Sequence, residues 1–152
     1  TEDRQAMSIV MEEIGRHPLY FVDSRTSSLS VAHQVADLRG IPSLSRDVFL
    51  DHVISYPAIH LQFETLLALA RRKGTAIAIG HPYPETLRYL EQRLPRLGEE
   101  GFNVASVRGL WAIRNQNRAM FAAPFEPATQ SHAQSTRIPS CALTSTCVKV
   151  PN

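Results

Sequence analysis

The chain reads as an alternation of two hydrophobic periods, one near 3.6 residues and one short and continuous. Ala6, Val10 and Ile14 fall on one face of a helix running from Asp3 to Ile14, with Gly15 as its stop. After His17-Pro18, the run Leu19-Tyr20-Phe21-Val22 predicts a buried strand. Ser28 or Ser30 can cap a second helix through Val31, Val35 and Leu38, which ends at Gly40. Val48-Phe49-Leu50, between Asp47 and Asp51, predicts the second strand. The third helix has the clearest signature. Ser55 caps it, Pro57 suits its first turn, and Ile59, Phe63, Leu66, Leu67 and Ala70 form an apolar stripe. Arg71-Arg72-Lys73 then meet the negative end of its dipole, and Gly74 supplies a left-handed cap. Thr75 to Ile79 predicts a third strand, apolar almost throughout, as in a strand covered on both faces. Pro84 opens a fourth helix with Leu87, Leu90, Leu94 and Leu97 facing inward, distorted near Pro95. Phe102 to Val107 predicts the fourth strand.

Strands alternating with amphipathic helices imply a parallel sheet with right-handed crossovers. A doubly wound sheet and part of a (β/α) barrel both fit that order. The 152 residues allow one ordinary domain, and an apolar fraction of 43% is enough for a core. That excludes wholesale disorder and a disulfide-dense mini-scaffold. No apolar run approaches the ~20 residues of a membrane helix. Residues 1–111 carry 12 Lys and Arg against 13 Asp and Glu, so the predicted folded part has no nucleic-acid signature. The net positive charge lies in residues 112–152, where 25 of the 41 residues are Ala, Ser, Thr, Gln, Asn or Pro. This segment is expected to be a low-complexity, disordered extension, apart from a short helix at Ala112–Ala122. It holds both cysteines, Cys141 and Cys147, whose spacing is no zinc motif and leaves a local disulfide or two free thiols equally open.

In parallel α/β folds the reactive groups collect at the C-terminal ends of the strands. The first strand is followed by Asp23-Ser24-Arg25-Thr26, the second by Asp51-His52, and the third by Gly80-His81-Pro82. Aspartate, arginine and histidine on one rim are the mix that proton transfer or metal chemistry needs. Asp23 and Ser24 can equally begin the turn before the next helix. Asp47 and Asp51 can be exposed strand boundaries. His81, between a glycine that permits close backbone approach and a proline that stiffens the exit, is the strongest single candidate. His60 and Glu64 have the spacing of a metal pair but flank an ordinary helical stripe, so a solvated surface pair is expected. No P-loop, G-x-G-x-x-G, G-x-S-x-G or H-E-x-x-H motif is present.

Three segments carry a resemblance: Phe21-Val22-Asp23-Ser24-Arg25-Thr26, Arg46-Asp47-Val48-Phe49-Leu50-Asp51, and Ala78-Ile79-Gly80-His81-Pro82 with Pro84-Glu85-Thr86-Leu87. Together they resemble the divergent polysaccharide deacetylase family, a branch of the NodB-type carbohydrate esterases, from about Thr1 to Leu110. The resemblance implies residues 1–111 as the C-terminal part of a (β/α) barrel, with about four parallel strands and flanking helices. It implies a hydrolase that removes N-acetyl groups from an envelope polysaccharide, in the periplasm or cell envelope, with a divalent metal, usually zinc. By position, His81 matches a general acid or metal ligand. Asp23 and Arg25 match a motif that lines the site and orients carboxylates, and Asp47 or Asp51 matches the acid that polarises the histidine. Ser24, Asp51 and Pro82 are then substrate-binding candidates. The paired aspartates and the Asn-His-Met-Gly-Ser loop that carry the family's main metal ligands are absent from this sequence. A catalytic zinc takes three protein ligands and a water, so His81, Asp23 and Asp47 alone are not expected to hold one tightly. A non-catalytic remnant that binds carbohydrate or an envelope partner is the alternative.

A barrel that starts at its middle strands exposes a sheet edge near residues 19–22, and unpaired edges invite association. The chain is therefore expected to dimerise, aggregate or be marginally stable. Size-exclusion chromatography showing a highly stable compact monomer would contradict this.

Overall fold

Helix α3 (Tyr56–Lys73) organises the larger core. The Ser55 side chain accepts from the Ala58 N–H at its start, and Gly74 closes it at φ 78°. Its stripe of Ile59, Phe63, Leu66, Leu67 and Ala70 is buried against Val48, Ala76 and Ala78 on one side and Tyr89, Leu97 and Phe102 on the other. Each fully buried side chain of this kind contributes about 1.5–3 kcal/mol. The computed structural model describes residues 1–119 and 145–149.

The architecture is a mixed α/β fold with parallel strands and flanking helices. In chain order the other elements are α1 (Arg4–Ile14), β1 (Phe21–Asp23), α2 (Ala32–Leu38), β2 (Ser43–Ser45), β3 (Val48–Phe49), β4 (Thr75–Ile79), α4 (Pro84–Arg93), a 3₁₀ turn at Leu94–Arg96, β5 (Asn103–Ala105), α5 (Val107–Ala119) and β6 (Ser145–Lys149). β1 and β2 pair in parallel as a two-stranded sheet, and the second sheet has the order β3-β4-β6-β5. Only two residues separate β2 from β3, and they hand the chain from one sheet to the other. The Arg46 N–H donates to the Asp23 carbonyl at 2.9 Å, and the next N–H, of Asp47, donates to the Ile77 carbonyl at 2.9 Å.

In β4, Ala76 and Ala78 face α3, while Ile77 faces the opposite way into a cluster with Leu44 and Leu110. Val107 and Trp111 of α5 pack on that cluster. Both faces of β4 are thus covered, which is why the strand is apolar from Ala76 to Ile79. No helix among the described residues is long and apolar enough to cross a membrane.

Several sequence expectations shift. α1 buries Met7 and Met11, whereas Val10 is exposed, so the buried face is one position round from the expected one. Leu19 and Tyr20 are exposed and precede β1, which begins at Phe21. Leu38 is exposed, and α2 buries Ala32, Val35 and Ala36 instead. Pro95 ends α4 in the 3₁₀ turn, as a missing N–H requires, but α4 buries Thr86 and Tyr89 rather than Leu87.

The all-parallel sheet is the main correction. β6 runs antiparallel between β4 and β5, so β5 never meets β4 directly. β3 pairs with one edge of β4, and β6 takes the other along its full length, from Thr75 opposite Lys149 to Ile79 opposite Ser145. α5 begins at Val107 and runs on to Ala119, past the compositional boundary at residue 111. The rest of 112–152, including Cys141, lies outside the described residues.

Asp47 pins this corner together. One carboxylate oxygen lies 3.1 Å from Lys73 Nζ at the end of α3, and the other accepts from Arg114 of α5 at 2.8 Å and from the Ile77 N–H at 2.9 Å. Burial pushes the carboxyl up, but Arg114, the Ile77 amide and Lys73 outweigh it and hold it below the usual carboxylate range. A lowered folded value means that the stabilisation is complete above the ordinary Asp value of 3.8 and is lost as pH falls through the folded one. Asp47→Asn should cost about 1–3 kcal/mol at pH 7. In urea titrations the gap between the two proteins should narrow below about pH 4, and a gap independent of pH would contradict the ion-pair account.

Candidate functional site

β3 delivers Asp51 to the rim. The Leu50 N–H donates to the Ile79 carbonyl at 2.9 Å, which extends the β3–β4 ladder and sets the next residue, Asp51, beside Gly80 and His81. The Asp51 side chain is fully buried. Oδ2 accepts the backbone N–H of His81 and, at 2.9 Å, the hydroxyl of buried Thr86. Oδ1 lies 3.0 Å from His81 Nδ1. An ionised carboxylate only accepts, so the neutral ring carries its proton on Nδ1 and turns Nε2 outward. The His81 side chain remains 52% exposed, so one end of the ring is anchored in the protein and the other is open to a reactant.

Gly80 is required by this packing rather than by its backbone angles. A Cβ there would sit 3.1 Å from Asp51 Oδ2, 3.3 Å from Thr86 Cγ2 and 3.4 Å from Leu50 Cβ. Aromatic rings frame the imidazole: Phe49 at 5.4 Å edge-on and Tyr83 at 5.2 Å, centroid to centroid.

Asp23 has a different task. Its Oδ1 accepts the Arg25 N–H at 2.9 Å, while Oδ2 accepts the Ser30 hydroxyl at 2.9 Å and the His33 N–H at 3.3 Å. Buried and fully engaged, it shapes the loop after β1 and caps the start of α2, which is the turn-forming alternative. Arg25 sits in the left-handed region at φ 47° within that loop.

Arg46 links this loop to the histidine. Its guanidinium donates to the Ser24 carbonyl and, at 2.6 Å, to the Arg25 carbonyl, and lies 4.8 Å over the Phe49 ring. Burial, and then the neighbouring Arg25 charge, hold Arg46 below its usual range, with Asp23 acting in the opposite sense. Ser24, Arg25, Arg46, Phe49 and His81 therefore form one connected rim. Pro82 is exposed beside His81. Asp47 lies at the other end of β3, in its ion-pair cluster, so of the two aspartates it is Asp51 that meets the imidazole.

Sequence reasoning overlooked Arg46, Phe49 and Thr86 as partners. All three lie inside the segments that carried the resemblance, which was the available signal. His60 and Glu64 do not form a pair: His60 Nδ1 bonds the Tyr89 hydroxyl at 2.8 Å, and Glu64 meets Arg93 at 3.0 Å. Burial pushes the Tyr89 hydroxyl up to about 12 against the opposing pull of Arg93. No group of three or more His, Cys, Asp or Glu placed to hold a metal occurs among the described residues. The carboxylates explain this. Asp23, Asp47 and Asp51 each spend both oxygens on protein donors, which leaves His81 Nε2 as the free donor atom of the set.

The geometry defines a mixed α/β protein with a buried carboxylate–imidazole pair at adjacent strand ends. Residues 1–111 match the family model described as divergent polysaccharide deacetylase. The chain belongs to that family. It is 38% identical over 111 residues to an uncharacterized Haemophilus influenzae protein, covering 73% of this chain and 39% of that one. It is also 40% identical over 97 residues to the uncharacterized protein YibQ of Escherichia coli, covering 64% of this chain and 30% of that protein. The chain thus spans well under half the length of these relatives. The crystal structure of the uncharacterized protein ATU2773 from Agrobacterium tumefaciens superposes with a TM-score of 0.66 at 26% identity, over 74% of this chain and 44% of that one.

Two substitutions test the pair. Gly80→Ala should destabilise the fold by about 1–3 kcal/mol through overpacking against Asp51. Asp51→Asn should shift His81 from the Nδ1–H tautomer to a mixture, read from imidazole ¹⁵N chemical shifts. An unchanged nitrogen spectrum would show that Asp51 does not orient the ring.

Proposed function

We propose that this chain is the His81-bearing part of a hydrolase that removes N-acetyl groups from an envelope polysaccharide. The Asp51–His81 pair carries this reading. A buried carboxylate held by three donors fixes the imidazole with Nε2 as its unengaged nitrogen, the position from which a proton can pass to a departing amine. His81 is then the general acid, and Asp51 and Thr86 are positioning residues. Gly80 allows the three to meet. Tyr83 and Phe49 flank the place where a sugar ring would lie.

The family's divalent metal, usually zinc, does not fit the donor set described above, because a catalytic centre needs three protein ligands. In this reading those ligands belong to the part of the longer relatives that this chain does not span. The two short sheets are correspondingly a portion of a (β/α) barrel, with the hand-over at Arg46-Asp47 as part of its curvature. A periplasmic or envelope location goes with the same reading.

One observation favours a second reading. The exposed His81 ring between Phe49 and Tyr83 is an aromatic surface of the kind that stacks on sugars, so the chain can bind carbohydrate without turning it over.

Acetate release from N-acetylglucosamine oligomers, with added zinc, separates the readings. The test compares this chain, a full-length relative, and that relative with the histidine equivalent to His81 changed to Ala. The full-length protein should be active, its variant slower by about 10²–10⁴-fold, and this chain inactive. Equal activity in the chain and the full-length protein would refute the requirement for further ligands. Full activity in the His→Ala variant would remove His81 from the chemistry.

A further inference from the structure

Beyond the His81 pair, a cleft of about 480 Å³ opens on the far side of Phe49. Thr26, Arg46, Phe49, His52, Gln62 and Thr65 line it, so it lies between the loop after β1, strand β3 and helix α3. Phe49 is shared, with its ring against His81 at 5.4 Å and under Arg46 at 4.8 Å. A chain lying in the cleft would therefore pass directly to the imidazole.

Arg46 is the cationic side chain of this lining. Arg46 spends two of the five N–H donors of a guanidinium on the Ser24 and Arg25 carbonyls, which fixes its plane and leaves the other donors for a ligand. Arg25 is close enough to act on Arg46 electrostatically. Neither arginine makes an ion pair among the described residues. Asp23, the acid that Arg46 feels, is committed to Ser30 and to the amides of Arg25 and His33. Asp47 also lines the cleft, but Lys73 and Arg114 already neutralise it. The lining guanidinium of Arg46, with the Arg25 charge beside it and neither in an ion pair among the described residues, next to two hydroxyls and an amide, matches an anion carried on a polyhydroxylated ring.

We propose that this cleft is a subsite for an anionic sugar unit, bearing a carboxylate or a phosphate, in the polysaccharide that reaches His81. The link to His81 rests on the deacetylase reading, whereas the anion preference stands on the cleft alone. Arg46 supplies the oriented donors, Arg25 adds a second charge beside the cleft, and Thr26, Gln62 and Thr65 are the partners for ring hydroxyls.

Calorimetric titration of the whole chain tests this with three probes: a tetramer of galacturonate, glucose 6-phosphate, and a neutral tetramer of N-acetylglucosamine. At least one anionic probe should bind, more weakly as salt rises, and better than the neutral tetramer. The two anionic arms distinguish carboxylate from phosphate. Arg25→Gln and Arg46→Gln should each weaken that binding about tenfold or more. If Arg46→Gln disturbs the loop, seen in backbone amide spectra, Arg25→Gln decides, because its side chain makes no described hydrogen bond. Neutral and anionic tetramers binding alike, no binding by either anion, or an affinity indifferent to Arg25→Gln would overturn the subsite. Binding is read without hydrolysis, so these outcomes are independent of whether the deacetylase reading survives.

Discussion

A carboxylate taken out of water must be surrounded by donors, and Asp51 imposes that condition on everything near it. An uncompensated buried charge costs several kcal/mol, so the fold must bring N–H and O–H groups to both oxygens. It does so with residues 30 and 35 positions away, the backbone and ring of His81 and the hydroxyl of Thr86. Gly80 then has to lack a side chain, and α4 has to start with Thr86 facing inward. The site is thus the solution of a solvation problem as much as an arrangement for catalysis. The same anchoring gives the imidazole one fixed end and one free end.

The split between the two sheets divides the strand ends into regions with separate tasks. At the C-terminal ends, the loop after β1 is held down by Asp23 and tied through Arg46 to Phe49, so three loops share one surface. At the opposite end, Asp47 gathers Lys73, Arg114 and the Ile77 amide, locking α3 and α5 to β4. Two aspartates only four residues apart therefore hold entirely different partners. β3 is two residues long, and the chain bends sharply on either side of it. Fold maintenance at one end leaves the other free to carry exposed histidine, arginine and aromatic rings.

How well each element could be read follows from where its information resides. In α3, the cap, the first-turn proline, the stripe, the basic last turn and the glycine stop agree with one another, and the structure keeps all of them. In α1 several apolar positions compete, and the choice of Met7 and Met11 over Val10 depends on what α2 presents across the interface. The Ser43-Leu44-Ser45 strand has one apolar residue in three, so no periodicity marks it, and only its pairing with β1 makes it a strand. β6 is equally silent, because a five-residue stretch in a polar segment gains its identity from the free edge of β4. Within the site, His81 stood out from its Gly and Pro neighbours. The choice of Asp51 over Asp47 could not be made from two residues flanking the same short strand.

Local chemistry along the chain settled where helices α1 to α4 lie, where Gly74 and Pro95 end or bend them, and that Asp, Arg and His gather near strand ends. These properties depend on neighbours within a turn or two, so they are written in short-range order. Tertiary structure alone decided which aspartate meets the imidazole and that an antiparallel strand enters the sheet. It also decided that Arg46 reaches the Ser24 and Arg25 carbonyls and lines the cleft beside Phe49. Those outcomes require bonds between residues tens of positions apart, and a carboxylate has no partner until the fold brings one to it.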